Sequence, residues 1–367
     1  MSQIGLRTLL LVQFQGEEND NLNRTRTFAG FLALVGVVAI AFAAWTSLAG
    51  ASQTRQQATI TGAGSTAIAP LVAVWQTNYK GGQVNYSAIG SGGGINAITS
   101  RTVDFGASDA PLTTDQANAC KGCLMIPWAF FATSVPYNVS GVGYGLKLTG
   151  PILAGIYLGR VNYWDNPTIK AINPGVKLPH EKIVPIYRSD GSGTSFNFTD
   201  YLSRVSKSWK SKVGKSTQPS FPVGVGARGS SGVSAKLNST PGGIAYVDVA
   251  FSLKNHFKIA KVKNRAGKFV LPGINQIESA AASIKRVTRK DNAISIVDPS
   301  PNKRGAYPIC TFTWAIVPAK SGKAAELKKF LDWAVTRGQP FGKPLVFAPM
   351  PKPVVTAARK TIQKIHS

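Results

Sequence analysis

Four stretches of this chain share one local pattern: a short run of strand-forming residues, then a turn made of Gly, Ser, Thr or Asp. The first is "ATITGAGST", followed by "AIAPLVAVWQTNYK", in which apolar residues 68, 71, 72 and 75 share one helical face and Pro70 suits a first turn. The second is "QVNYSAIGSGGG", followed by the helical "INAITSR". The third, "VDFGASDAPLT", is a strand running into a turn at Asp109. The fourth is "KIVPIYRSDGSGTS", followed by "FNFTDYLSRVSKSW". Strands that alternate with helices cannot all pair as hairpins, so the pattern predicts α/β sheets with largely parallel strands.

The chain has 367 residues and is 44% hydrophobic, enough for two domains with real cores. It carries 42 Lys and Arg against 16 Asp and Glu, a net charge of +26. Through Ala51 three basic residues balance three acidic ones, so the whole excess belongs to the remainder and favours anionic partners. Residues 28–50 form an uncharged apolar run behind Arg24 and Arg26. Ala49 and Ala51 fit the small-residue spacing of a signal-peptidase site, and the run is also long enough to span a bilayer uncleaved. Residues 1–51 are therefore read as a signal peptide or an amino-terminal membrane anchor, and both readings put the rest of the chain outside the cytoplasmic membrane. Cys120 and Cys123 form "CKGC", which suits a small disulfide in an exported protein, with a redox role as the second reading. Cys310 reads as a buried strand residue. The scattered histidines and the lack of a second C-x-x-C argue against a metal site.

After each strand comes a small or polar residue. Ligands of open α/β sheets bind beyond the carboxyl ends of the strands, where helix amino ends present backbone N–H groups and a positive dipole. Ser65, Thr66, Ser91, Ser192 and Thr194 add hydroxyls, and Arg188 adds a cation. Helix capping alone accounts for Ser, Thr and Asp at any single such turn. Together the four turns point to a site for a small anion. Residues 224–229, "GVGARG", match G-x-G-x-x-G, but no strong strand precedes them and no acidic residue lies about twenty positions on, so a dinucleotide site is not expected.

"TGAGSTAIAP", "IGSGGGINAI", "VDFGASDAPL", "IYLGRVNYWD", "RSDGSGTSFNFTDYL" and "GGIAYVDVAF" stand in an order and spacing that resemble the family of periplasmic phosphate-binding proteins of the high-affinity phosphate ABC transporter, over residues 58–365. The resemblance implies a two-domain Venus-flytrap fold of the second periplasmic-binding type, with the ligand in the interdomain cleft. Residues 55–137 plus 311–367 would form one domain and 138–310 the other. It implies that Thr66, Ala67 (through its N–H), Ser91, Asp109, Arg188, Ser192, Gly193 and Thr194 bind inorganic phosphate, and that Asp190 partners Arg188. The family has a phenylalanine where this chain has Ala67, so one wall of the pocket differs. Asp109 would accept a hydrogen bond from a protonated phosphate and repel sulfate. The resemblance further implies delivery to membrane permease subunits, a monomer, no cofactor and no catalysis; a relative tuned to arsenate, or a phosphate sensor, is the alternative within the family. A nucleic-acid binder is not expected, because the basic residues form no stripe interleaved with aromatics. No nucleophile–base arrangement suggests an enzyme.

Overall fold

A computed structural model describes residues 58–367; the apolar leader lies outside the described residues. The first three strands, β1 (Thr59–Gly64), β2 (Gln83–Ala88) and β3 (Phe105–Ser108), alternate with α1 (Ala69–Asn78), α2 (Ser91–Thr99) and α3 (Thr114–Ala119), as the repeated pattern requires. Pro70 lies in the first turn of α1, where its missing N–H costs nothing. Thr113 starts α3 with a reciprocal capping box to Gln116. Two long strands follow the apolar runs of the sequence: β4 (Cys123–Ser134) directly after α3, and later β14 (Cys310–Pro318). Both are buried on both faces over nearly their whole length, which is why they read as continuous rather than alternating hydrophobic segments.

Between β4 and β14 the chain builds a second sheet and its cover. The elements in order are β5 (Pro136–Asn138), β6 (Lys147–Leu148), α4 (Gly150–Tyr157), α5 (Pro167–Ile172), β7 (Val184–Arg188), α6 (Gly193–Val205), α7 (Lys207–Lys212), β8 (Val225–Ala227), α8 (Gly229–Asn238), β9 (Gly243–Ala245), β10 (Val247–Asp248), α9 (Val249–Lys254), β11 (Lys258–Ile259), β12 (Lys261–Lys263), β13 (Phe269–Val270) and α10 (Ile274–Ala281). After β14 come α11 (Ala324–Val335) and α12 (Lys352–Ile362). The first sheet has the order β10-β4-β14-β3-β1-β2 and the second β11-β5-β9-β7-β8; β13-β12-β6 form a small third sheet.

The expectation of largely parallel sheets holds only where strand and helix alternate. β2, β1 and β3 are mutually parallel, as are β8, β7 and β9. β14 runs antiparallel to both β3 and β4, and β5 antiparallel to β9. The reason is directional: β4 carries the chain out of the first sheet and β14 brings it back, so the two must oppose each other. Ser134 ends β4 in the first sheet and Pro136 begins β5 in the second, so the chain changes sheets at Val135. It returns briefly at β10, which pairs with Thr133 and Ser134 before β11 rejoins the second sheet.

Aromatic side chains fill the core behind each sheet. Trp75, Trp128, Phe105 and Phe330 meet edge to face behind the first, with centroids 5.4–6.5 Å apart. Tyr157, Phe198, Phe221 and Tyr246 cluster behind the second. Burial of this size fixes where each strand ends, and therefore where its turn points. Cys120 and Cys123 are disulfide-bonded across the α3–β4 turn, and Cys310 is buried at the start of β14. No helix of the described residues is long and apolar enough to cross a membrane.

Candidate functional site

The turns after β1, β2, β3 and β7 converge between the two main sheets. Glycine makes the approach possible. At Gly90 φ is +87°, and a side chain there would place its Cβ 2.3 Å from Asp190 Oδ2. A Cβ on Gly193 would lie 2.6 Å from that of Asp109. With those positions bare, backbones meet directly: Gly92 N–H donates to Gly191 O at 2.9 Å. Ser91 Oγ accepts from Asp109 N–H at 3.2 Å and from Gly193 N–H at 3.1 Å, so one buried hydroxyl joins three turns. Its own proton faces the Asp109 carboxyl, whose pKa it helps to hold down.

Arg188 ends β7 and is 4% exposed. Its backbone N–H donates to Tyr246 Oη at 3.0 Å, and the same Tyr246 hydroxyl lies 2.7 Å from Ser195 Oγ on α6. That tyrosine therefore fixes the end of β7 against the first turn of α6. The guanidinium donates Nε to Asp190 Oδ1 at 2.7 Å and Nη2 to Asp190 Oδ2 at 2.5 Å, a planar fork. Gly229 N–H also donates to Asp190 Oδ1, at 2.9 Å. Burial alone would raise Asp190; these donors outweigh it and hold the carboxyl below its ordinary range. Arg188 and Asp190 are thus a locked, neutral pair. Nη1 of Arg188 is left without a partner among the described residues.

Each expected residue has a definite place. Ser192 is buried at the cap of α6, its hydroxyl accepting from Ser195 N–H at 3.1 Å. Gly193 and Thr194 form the buried first turn of that 13-residue helix, whose amino end carries positive dipole character into the cleft. Thr194 Oγ1 is buried with no hydrogen-bond partner among the described residues. Thr66 is also buried, but its hydroxyl pairs with Ser230 Oγ at 2.9 Å and accepts from Ser230 N–H at 3.1 Å. Ala67, expected to donate its N–H to an anion, donates it to Ser65 Oγ at 3.1 Å. Ser65 in turn donates to Asp109 Oδ2 at 2.6 Å.

Asp109 is 1% exposed, and its other oxygen, Oδ1, has no hydrogen-bond partner among the described residues. Burial raises its pKa from 3.8 to about 6; the Ser65 and Thr313 hydroxyls, the Arg188 charge and the Ser91 hydroxyl limit the rise. At neutral pH it is still a carboxylate, without a donor for one oxygen. Asp109 caps no helix, since α3 begins at Thr114 under Thr113. An unmatched acceptor near the unpartnered Thr194 hydroxyl and a helix amino end suits a small oxyanion that itself carries a proton.

Sequence reasoning missed the contribution of α8. "GVGARG" is a short strand, β8, followed by a helix whose amino end brings Gly229 to Asp190 and Ser230 to Thr66. It is a fifth strand–turn–helix unit, and the signal was its Gly-Ser composition rather than its dinucleotide-like spacing. Asp248 was also unassigned: it lies within "GGIAYVDVAF", is fully buried and starts α9.

Residues 49–337 match the family described as the PBP superfamily domain. The chain is 38% identical over 303 residues to the phosphate-binding protein PstS of Xylella fastidiosa strain Temecula1, covering 81% of this chain and 82% of that one. It is 36% identical to the phosphate-binding protein PstS of Methanocaldococcus jannaschii, covering 75% of this chain and 76% of that one. Among solved structures, the periplasmic phosphate-binding protein PfluDING, bound with phosphate, superposes with a TM-score of 0.68 at 23% identity, over 83% of this chain and 93% of that one. The phosphate-binding protein of Stenotrophomonas maltophilia gives 0.65 at 19%, over 83% and 93%. At these identities the structures establish the two-domain periplasmic-binding fold.

Proposed function

Because this chain belongs to the PstS family of phosphate-binding proteins within the PBP superfamily, we propose that it binds inorganic phosphate outside the cytoplasmic membrane and hands it to the permease of an ABC transporter. Thr66, Ser91, Arg188, Ser192, Gly193 and Thr194 supply the donors, and Asp109 accepts the proton of the ligand. Ala67 contributes the wall of the pocket and, through its N–H on Ser65, the orientation of that hydroxyl. Asp190 keeps Arg188 in its plane. The observation that carries the reading is Asp109 Oδ1, buried and with no hydrogen-bond partner among the described residues, beside the amino end of α6. An ionised carboxylate in such a place repels every fully deprotonated oxyanion and rewards one that brings an O–H.

Residues 55–137 with 311–367, and residues 138–310, act as the two lobes. They close around the ligand by a hinge at the sheet-changing segments, such as Val135 between β4 and β5. The Gly92–Gly191, Ser91–Gly193 and Thr66–Ser230 contacts support closure of this kind, since each joins a turn of the first sheet to a turn of the second. The protein binds without turning over its ligand. Isothermal titration calorimetry of residues 52–367 with phosphate, arsenate and sulfate, at pH 5 and pH 8, tests the reading. Phosphate binding with little heat from sulfate at pH 8 is expected; equal sulfate binding would overturn it. A chromogenic phosphate ester incubated with the same material should release no product.

A further inference from the structure

The Cys120–Cys123 disulfide carries a cation on its sulfurs. Arg101 follows α2, and its Nη1 lies 3.5 Å from Cys120 Sγ and 3.4 Å from Cys123 Sγ. Backbone carbonyls hold the guanidinium in place. Nη1 donates to Ile98 O at 2.6 Å, at the end of α2, and Nη2 to Cys120 O at 2.8 Å and Lys121 O at 3.3 Å, at the end of α3. Arg101 has no carboxylate partner among the described residues, so its charge is shared only with those carbonyls and the two sulfurs. Arg101 sits at φ +56° and Lys121 at φ +41°, in the left-handed region that favours glycine. Glycine would make both turns at lower cost, and would leave the sulfurs without a cation.

The two sulfurs differ in access. Cys120 is 0% exposed, whereas Cys123 is half-buried at the start of β4. Between them Lys121 is exposed, and Gly122 stands in the open: a Cβ built on it would meet nothing within 4 Å. A small molecule can therefore reach Cys123 Sγ along this turn, past a lysine that attracts an anion. A disulfide sulfur is a weak, neutral acceptor, but a thiolate in its place is a full charge, and its bond to the guanidinium becomes charge-assisted. The carbonyl ends of α2 and α3 oppose a thiolate through their negative dipole character; the guanidinium, bonded to both, offsets that as well. Asp115, the acidic residue of α3, lies in its first turn, at the other end of the helix.

We propose that the Cys120–Cys123 bridge is a thiol–disulfide exchange site for small anionic thiols of the glutathione type, with Arg101 holding the thiolates that exchange releases. A glutathione thiolate attacks Cys123 Sγ. The new S–S bond forms as the Cys120–Cys123 bond breaks, and the electron pair leaves on Cys120 Sγ, beside Nη1. A second glutathione thiolate attacks the glutathione sulfur of the mixed disulfide, releases oxidised glutathione and leaves the electron pair on Cys123 Sγ. Two glutathiones are oxidised and one protein disulfide is reduced; the two protons that the glutathiones lose pass to the cysteines or to solvent. The inference stands apart from the phosphate reading, since Arg101 lies beyond the carboxyl end of the helix whose first residue is Ser91.

The test equilibrates the wild type, Arg101→Lys and Arg101→Gln with mixtures of reduced and oxidised glutathione, and reads the free thiols by intact mass after alkylation. The equilibrium constant for reduction of the wild type should exceed that of Arg101→Gln by about tenfold, which is about 30 mV for this two-electron couple. Arg101→Lys, which keeps the charge, should fall between them. Unchanged circular dichroism and phosphate affinity within about twofold would show that the variants fold. Equal constants for all three, or a bridge that glutathione does not reduce, would overturn the proposal. A second measurement needs no change at Arg101. In the reduced wild type the ultraviolet thiolate absorbance should begin to titrate well below the ordinary thiol value of about 8.5. Cys310 does not interfere, because burial pushes its thiol up. Titration only at or above the ordinary value would overturn the role of Arg101, whatever the variants do.

Discussion

Replacing Asp109 by Asn tests the site through folding as well as binding. Asp109 is fully buried, with Oδ1 unmatched, and its pKa rises from 3.8 to about 6 on folding. A carboxyl whose folded pKa is raised contributes stability that is fully present below the unfolded value and lost as pH rises through the folded one. A rise of roughly two units corresponds to about 3 kcal/mol, and about half of this is lost between pH 5 and pH 8. Asn has no proton to lose. The ligand-free stability of Asp109→Asn relative to the wild type should therefore increase by about 1.5 kcal/mol from pH 5 to pH 8, read as a shift of a few °C in the difference between their melting temperatures. The same change should narrow the preference for phosphate over sulfate by about 10- to 150-fold, the worth of a hydrogen bond to a charged group. The binding site would thus carry a folding penalty that the ligand's proton relieves. A stability difference that stays flat with pH, together with an unchanged preference in calorimetry, would refute the reasoning at its root.

Arg188→Lys keeps the charge but cannot reproduce the two-pronged contact with Asp190; phosphate affinity by calorimetry should fall about 10- to 150-fold while the circular dichroism spectrum is retained. Gly193→Ala would force a Cβ to within 2.6 Å of that of Asp109, so the cleft should fail to close. Overpacking of about 1–3 kcal/mol is expected, and small-angle scattering should show no contraction on adding phosphate. Reducing the Cys120–Cys123 disulfide opens a loop of only a few residues. About 2 kcal/mol of stability should be lost, with phosphate affinity changed less than twofold because the bridge joins α3 to β4 and touches no residue of the cleft.

The family and the residues expected at the turns were legible because the signals are local. Pro70 in a first turn, a hydroxyl or glycine after each strand and the run from Arg188 to Thr194 are decided by backbone preferences over a few residues, and they hold wherever the segment ends up. Strand direction was legible only in part. Apolar runs such as β4 and β14 announce burial on two faces, but periodicity carries no information on whether two distant strands run together or opposed.

What the sequence by itself determined, then, is the set of small and polar turns at the strand ends, Asp109 among them, and the family they mark. Tertiary structure alone decided which polar groups keep a free valence. Thr66 and Ser230 are 164 positions apart, and nothing in either segment foretells that they share a hydrogen bond. Asp248 reads as an ordinary cap, and is fully buried only because β4 and α8 close over it. The physical reason is common to both. Propensity and capping are short-range, whereas desolvation and hydrogen-bond competition depend on every group that packs nearby, and those groups are assembled only when the two sheets come together.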